Sequence, residues 1–249
     1  MKTVLAVALT LALAATASAD PIADVRAALG RLPAKEPIRA TYEFQHSVDS
    51  GGKFGEEKFS GKAVVELEGD AGGFRTVFSR ALLDQLAQEQ AAKSRNSELK
   101  TPTVNTIREL NAVEAAEALD FAPVIGRMMQ GAKVLSDGAG TWQGKPVRVL
   151  VLRLVDGKED GPGKVTVLEH KLTLWLGADL VPQAAELQEH MKFSVFLIKG
   201  EAKQKRSWHL GRVGDRLVQL RHESSKTASG LGQKQDETVL ALLKVHGPA

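Results

Sequence analysis

Apolar and polar positions change their period several times along this chain, and each change marks an element. Ile22, Val25, Leu29 and Leu32 recur at helical spacing behind Asp20-Pro21, an N-cap followed by proline at the first helical position. This predicts an amphipathic helix over 21–32, closed by Pro33 and Pro37. The period then drops to two. Ile38, Ala40, Tyr42 and Phe44 alternate with Arg39, Thr41, Glu43 and Gln45, which predicts a half-buried strand. Asp49-Ser50-Gly51-Gly52 reads as a turn, and Phe59, Gly61, Ala63, Val65 and Leu67 alternate again. After Gly69 to Gly73, Phe74 to Phe78 completes a three-stranded meander.

Residues 80–130 lose that alternation. "RALLDQLAQEQAAKS" has helical composition, Thr106 with Glu109 and Asn111 with Glu114 have capping-box spacing, and Pro123 interrupts. Two or three helices are expected. From about 132 onward strands return. Val147, Val149 and Val151 alternate with Leu150, Leu152 and Leu154, so this strand is apolar on both faces and is expected to be central and covered on both sides. Residues 170–200 form a hairpin turning near Asp179-Leu180, and further strands are expected over 202–213, 215–223 and 235–245. Gly211, Gly214 and Gly230 to Gly232 mark the breaks, with a hairpin tip at Gly214-Asp215.

Short connections between about nine to eleven strands favour antiparallel neighbours. The expected fold is therefore α+β: one large, curved antiparallel sheet with an N-terminal helix and a central helical insertion at 80–130.

Composition adds compartment. "MKTVLAVALTLALAATASAD" carries Lys2, an apolar run from Val4 to Ala15 and the small-x-small site Ala17-Ser18-Ala19, so residues 1–19 read as a cleavable signal peptide. A periplasmic protein of one domain, 20–249, is the expectation. The chain has no cysteine, so its core alone must hold it. The formal net charge is +3, a small excess among many charges. Lys203-Gln204-Lys205-Arg206, the densest basic run, reads as a charged strand edge and not as a nucleic-acid patch. A transient contact with an anionic membrane surface stays compatible with that charge.

The order of elements and a few residues resemble the superfamily of periplasmic lipoprotein carriers and outer-membrane lipoprotein-sorting proteins. "LTLWLGADLVPQAAEL" matches its strand, turn and proline with Trp175, Leu176 and Pro182, and "GTWQGKPVRVLVLRL" resembles the strand pair before it. The resemblance implies a half-barrel with helices closing its mouth and an apolar concave face that binds acyl chains of lipids or lipoproteins.

Candidate chemistry is sparse. In the hairpin Leu172, Leu174 and Leu176 share a face opposite Trp175, while Leu187, Met191, Phe193, Val195 and Leu197 share one parity. Side chains filling the space beneath a covering layer make a core; side chains falling short leave an apolar ligand cavity. Methionine adapts to varied apolar ligands, and Met128, Met129 and Met191 stand where they can meet. Tyr42, Phe44, Met128, Leu174, Met191 and Phe193 are the expected lining residues of a lipid-like ligand. Glu169, His170, Glu189 and His190 have zinc-ligand chemistry, but adjacent strand residues point to opposite faces, so a solvated outer face is expected. Ser207 and His209 can share a face without an acid to complete a triad. Asp156, Glu159 and Asp160 sit in a loop compatible only with weak calcium binding. No motif implies a cofactor. The expectation is a non-enzymatic carrier of an apolar ligand; a module gripping another protein with the same sheet is the alternative, and oligomeric state is not readable.

Overall fold

The computed structural model describes residues 20–246 except 54, 156–163 and 196–197. The expected signal peptide, the acidic loop at 156–163 and Leu197 lie outside the described residues.

Helix α1, Pro21–Leu29, starts as expected: Asp20 caps it, accepting from the Ile22 amide at 3.0 Å. It ends earlier than the spacing suggests, at the Gly30 C-cap, although Leu32 beyond it is still buried. Strands β1 (Ile38–Gly52), β2 (Glu57–Asp70) and β3 (Gly73–Val77) form the meander. Asp49 to Gly52 is strand and not turn, because Asp49 pairs with Lys58 on one side and with Asp236 on the other. Two flanking ladders outweigh the turn preference of Asp-Ser-Gly-Gly.

The insertion holds four helices where two or three are expected: α2 (Arg80–Arg95), α3 (Pro102–Glu109), α4 (Ala112–Leu119) and α5 (Ala122–Met128). Asn111 caps α4 by accepting from the Val113 amide at 2.8 Å. Thr106 is no cap. Pro102 starts α3, which leaves Thr106 in mid-helix with its hydroxyl donating to the Pro102 carbonyl at 2.8 Å. The orphan amides of that first turn go instead to α2. The Glu89 carboxylate accepts from Thr103 at 3.0 Å and from Val104 at 3.1 Å, an anion at a helix N-terminus.

Among the described residues seven more strands follow: β4 (Lys133–Trp142), β5 (Lys145–Arg153), β6 (Lys164–Leu176), β7 (Pro182–Val195), β8 (Ile198–Val213), β9 (Arg216–Gly230) and β10 (Gln233–Val245). All ten make one antiparallel sheet in the order β3-β2-β1-β10-β9-β8-β7-β6-β5-β4, which leaves β3 and β4 as edges and the barrel unclosed. Sequential hairpins build both arms, and the β1–β10 pairing joins them. The β6–β7 turn is held by Gly177 donating to the Val181 carbonyl at 3.0 Å, with Leu180 at φ 65°. Gly214, at φ 56°, supplies the left-handed residue at the β8–β9 tip.

Two positions differ from expectation. Strand β5 is next to the edge and not central: its leucine face is buried, while Val149 faces outward beside its cross-strand partner Trp175. Strand β8 is central, so Lys203 to Arg206 is no strand edge. Alternation sends Lys203 and Lys205 to the outer face, and Gln204 and Arg206 to the face that carries buried Trp208.

The helices lie on that inner face, and two apolar cores form between the layers. One gathers Val25, Ala28 and Leu29 of α1, Ile125 of α5, Met129, and Leu150, Leu172, Leu174, Leu176 and Leu187 of the sheet. The other gathers Tyr42, Phe44, Val65, Leu67, Leu119 and Leu243. Each leucine withdrawn from water contributes roughly 1.5–3 kcal/mol. Over β1 and β2 the contact is closer and more polar. Thr106 is fully buried, and its hydroxyl and the Pro102 carbonyl sit where a side chain at Gly61 would be. Among the described residues no helix is long and apolar enough to cross a membrane.

Candidate functional site

The inner face changes character along its strands. At the helix-covered end Leu172, Leu174 and Leu176 are fully buried. Further along β6 and β7 the same face carries His170 opposite Glu189, then Val167 opposite Met191 and Val165 opposite Phe193. A bulge between Val167 and Glu169 drops Leu168 out of the ladder, so Val165 and Val167 keep to the inner face. Strand β8 adds Gln204 opposite Glu189 and Ala202 opposite Met191. Val165, Val167, Met191, Phe193 and Ala202 are all half-buried. The Phe193 ring lies over the backbone of Gly200, where a Cβ would clash with it.

A polar belt separates this half-open apolar stretch from the filled core. Arg206 donates from Nη2 to Glu189 Oε2 at 2.7 Å, and His170 Nε2 lies 3.6 Å from Glu189 Oε1. His222, opposite Trp208 in the β8–β9 ladder, stacks on its indole. Burial and the neighbouring Arg206 charge lower the His222 pKa to about 4, so its imidazole is neutral at ordinary pH. Among the described residues Arg206 Nε and His222 Nε2 here, and Nδ1 of His46 further along the belt, are buried without a hydrogen-bond partner. From α4, Glu114 comes near enough to feel the Arg206 charge. Its residue is exposed on one flank, and partial desolvation on the other raises its carboxyl above the usual range. Beyond β9 the belt continues through Lys226, Glu237 and buried His46, with His46 Nε2 3.2 Å and Lys226 Nζ 3.8 Å from the Glu237 carboxylate.

The expected lining residues are not brought to one place. Leu174 is in the first core, with Met128 packed partly buried against it. Tyr42 and Phe44 are in the second core, 6.4 Å apart and stacked. The Tyr42 hydroxyl bonds the Gln219 side chain, and desolvation raises its pKa above the usual tyrosine range. Only Met191 and Phe193 lie on the half-open stretch. Met129 is fully buried in the first core, apart from Met191.

The two Glu-His pairs divide between faces. His170 and Glu189 belong to the inner belt, whereas His190 pairs with Glu201 at 2.7 Å and Glu169 with Lys171 at 2.8 Å on the outer face. Among the described residues no three His, Asp or Glu side chains gather as metal ligands. His209 faces outward, edge-on to Trp142 at 5.1 Å, in an aromatic group with Trp175. A cleft of about 480 Å³ opens where β5 ends, lined by Leu135, Arg153, Val167, Leu168, His170 and His190, and reaches the inner face through Val167 and His170.

Arg206, His222 and Glu114 are the belt residues that pattern reading misses. The signal was present in the alternation Gln204, Arg206, Trp208, Leu210 along β8, which places a charge on the face of a buried tryptophan.

No protein-family model and no curated protein matches this chain.

Proposed function

We propose that the protein is an exported, non-enzymatic binding protein that takes the chain of a lipid-like ligand onto the uncovered part of its inner face. One observation carries this reading: the inner face continues beyond the filled core as Val165, Val167, Met191, Phe193 and Ala202, half-buried and next to a polar belt. An apolar stretch ending at fixed polar groups suits an amphiphile, with burial contributing about 0.8 kcal/mol per methylene. The earlier likeness to lipoprotein carriers supports the same ligand class. The site differs from an interior cavity, because side chains of α1 and α5 fill the space over Leu172 to Leu176. Purification from its native host, followed by mass spectrometry of extracted lipid, tests this. Stoichiometric amphiphile supports the reading; an empty protein that binds no added amphiphile refutes it.

The rival reading, a module that grips another protein, has its own observation. Val134 and Leu135 of edge strand β4 and Leu168 at the β6 bulge are exposed, with Leu135 and Leu168 lining one cleft. Recovery of one stoichiometric protein partner without lipid favours it.

A further inference from the structure

Two bulges open onto one cleft. The β4 ladder slips between Val134 and Ser136, and the β6 ladder between Val167 and Glu169, so Leu135 and Leu168 each drop out of register. They are 49% and 48% exposed, and both line the cleft of about 480 Å³ where β5 stops. Leucines turned out of a ladder on both sides of one opening mark a surface kept apolar for contact. Val167 lines the same cleft and stands opposite Met191, so this lining runs on into the half-open stretch.

The other wall of the cleft is basic. Across three neighbouring strands the register sets Lys133 opposite Arg153 and Arg153 opposite Lys171. Like charges placed directly opposite, with Cβ atoms about 4.5–5.5 Å apart, destabilise a sheet. Arg153 and Lys171 line the cleft, and among the described residues the one carboxylate in that lining is Glu169, which Lys171 holds at 2.8 Å. Lys133 and Arg153 have no acidic partner among the described residues. The histidines of the cleft face carboxylates of their own, His170 beside Glu189 and His190 on Glu201. One carboxylate among three cations leaves two positive charges unmatched. A phosphomonoester, with about −1.5 to −2 charge and three acceptor oxygens, matches that row; a carboxylate brings about half the charge.

Resting on the ligand reading above, we infer that this cleft receives the phosphate head of a single-chain amphiphile of the lysophosphatidate type. Lys133, Arg153 and Lys171 hold the phosphate, Leu135 and Leu168 flank the start of the chain, and Val167 leads it to Met191. The test is equilibrium binding to the full folded protein at pH 7.5 with three radiolabelled probes. Two are oleoyl lysophosphatidate and oleoylglycerol, each below its micellar concentration, and the third is inorganic phosphate. Lysophosphatidate is expected to bind at least about tenfold tighter than oleoylglycerol and at least about a hundredfold tighter than inorganic phosphate. The double variant Lys133→Gln with Arg153→Gln is expected to bring the two amphiphiles within about threefold, with a thermal melt to show that it folds. Oleoylglycerol binding as tightly as lysophosphatidate overturns the inference and leaves the acyl-chain reading standing. A folded double variant that keeps the preference also overturns it. Inorganic phosphate binding as tightly as lysophosphatidate makes the cleft a site for the free anion and overturns the amphiphile assignment. Binding of neither amphiphile overturns the ligand reading and this inference together.

Discussion

The imidazole of His222 lies parallel to the indole of Trp208, 5.3 Å between ring centroids and 5° between planes. The indole is buried, so the stack holds His222 at the boundary between core and belt. A cation there costs desolvation and faces Arg206, which is why the pKa falls from 6.5 to about 4.

Acid stability follows with a defined sign. Between pH 6.5 and about 4 the unfolded chain holds the His222 proton and the folded chain does not. Stability therefore falls as pH drops through that window and levels off below it. His222→Phe keeps the stack and removes the proton. Urea melts at pH 7 and pH 4.5 are expected to show a loss smaller by about 2–3 kcal/mol in the variant than in the wild type. Equal losses would contradict the assignment.

The two ends of the inner face respond differently to truncation. Leu174→Ala leaves a hole in a filled core and is expected to cost about 2–5 kcal/mol. Met191→Ala, on the half-open stretch, is expected to cost less than about 1 kcal/mol. Chemical denaturation of both variants checks the contrast.

Helix α3 is held by close approach more than by apolar area. A side chain at Gly61 drives into the Thr106 hydroxyl and the Pro102 carbonyl, and a backbone oxygen cannot turn aside. Gly61→Ala is expected to cost roughly 1–3 kcal/mol. Hydrogen exchange is expected to speed up in α3 and to stay unchanged in β6 to β8. Uniform loss of protection would contradict the local attachment.

Glu89 joins α2 to the N-terminus of α3, and Thr101 at the N-cap makes no side-chain capping bond, its hydroxyl donating to Asn105 Oδ1 at 3.4 Å. Glu89→Ala is expected to cost about 1–2 kcal/mol and to expose the Thr103 and Val104 amides to exchange. Unchanged exchange at those two amides would show that the carboxylate does not cap.

Period-two alternation made the sheet legible, and the turns at Gly214 and Gly232 were readable from residues that tolerate positive φ. Depth was not readable. Parity put Leu174 and Met191 on one face, but whether a helix covers each is a tertiary fact. Met191 is half-buried, whereas α1 and α5 close over Leu174. Asp49 to Gly52 was misread because a local turn preference does not register two flanking ladders. Arg206 escaped because adjacent lysines made the whole run look solvated, although alternation turns every second residue of it inward.

Methyl-labelled methionine gives the most direct test of where a ligand sits, because Met191 lies on the half-open stretch and Met129 in the filled core. Nuclear magnetic resonance during titration with oleoylglycerol is expected to shift the Met191 methyl in saturable fashion and to leave the Met129 methyl in place. A Met191 signal that stays still, or a Met129 signal that moves in its stead, would contradict binding on the uncovered inner face.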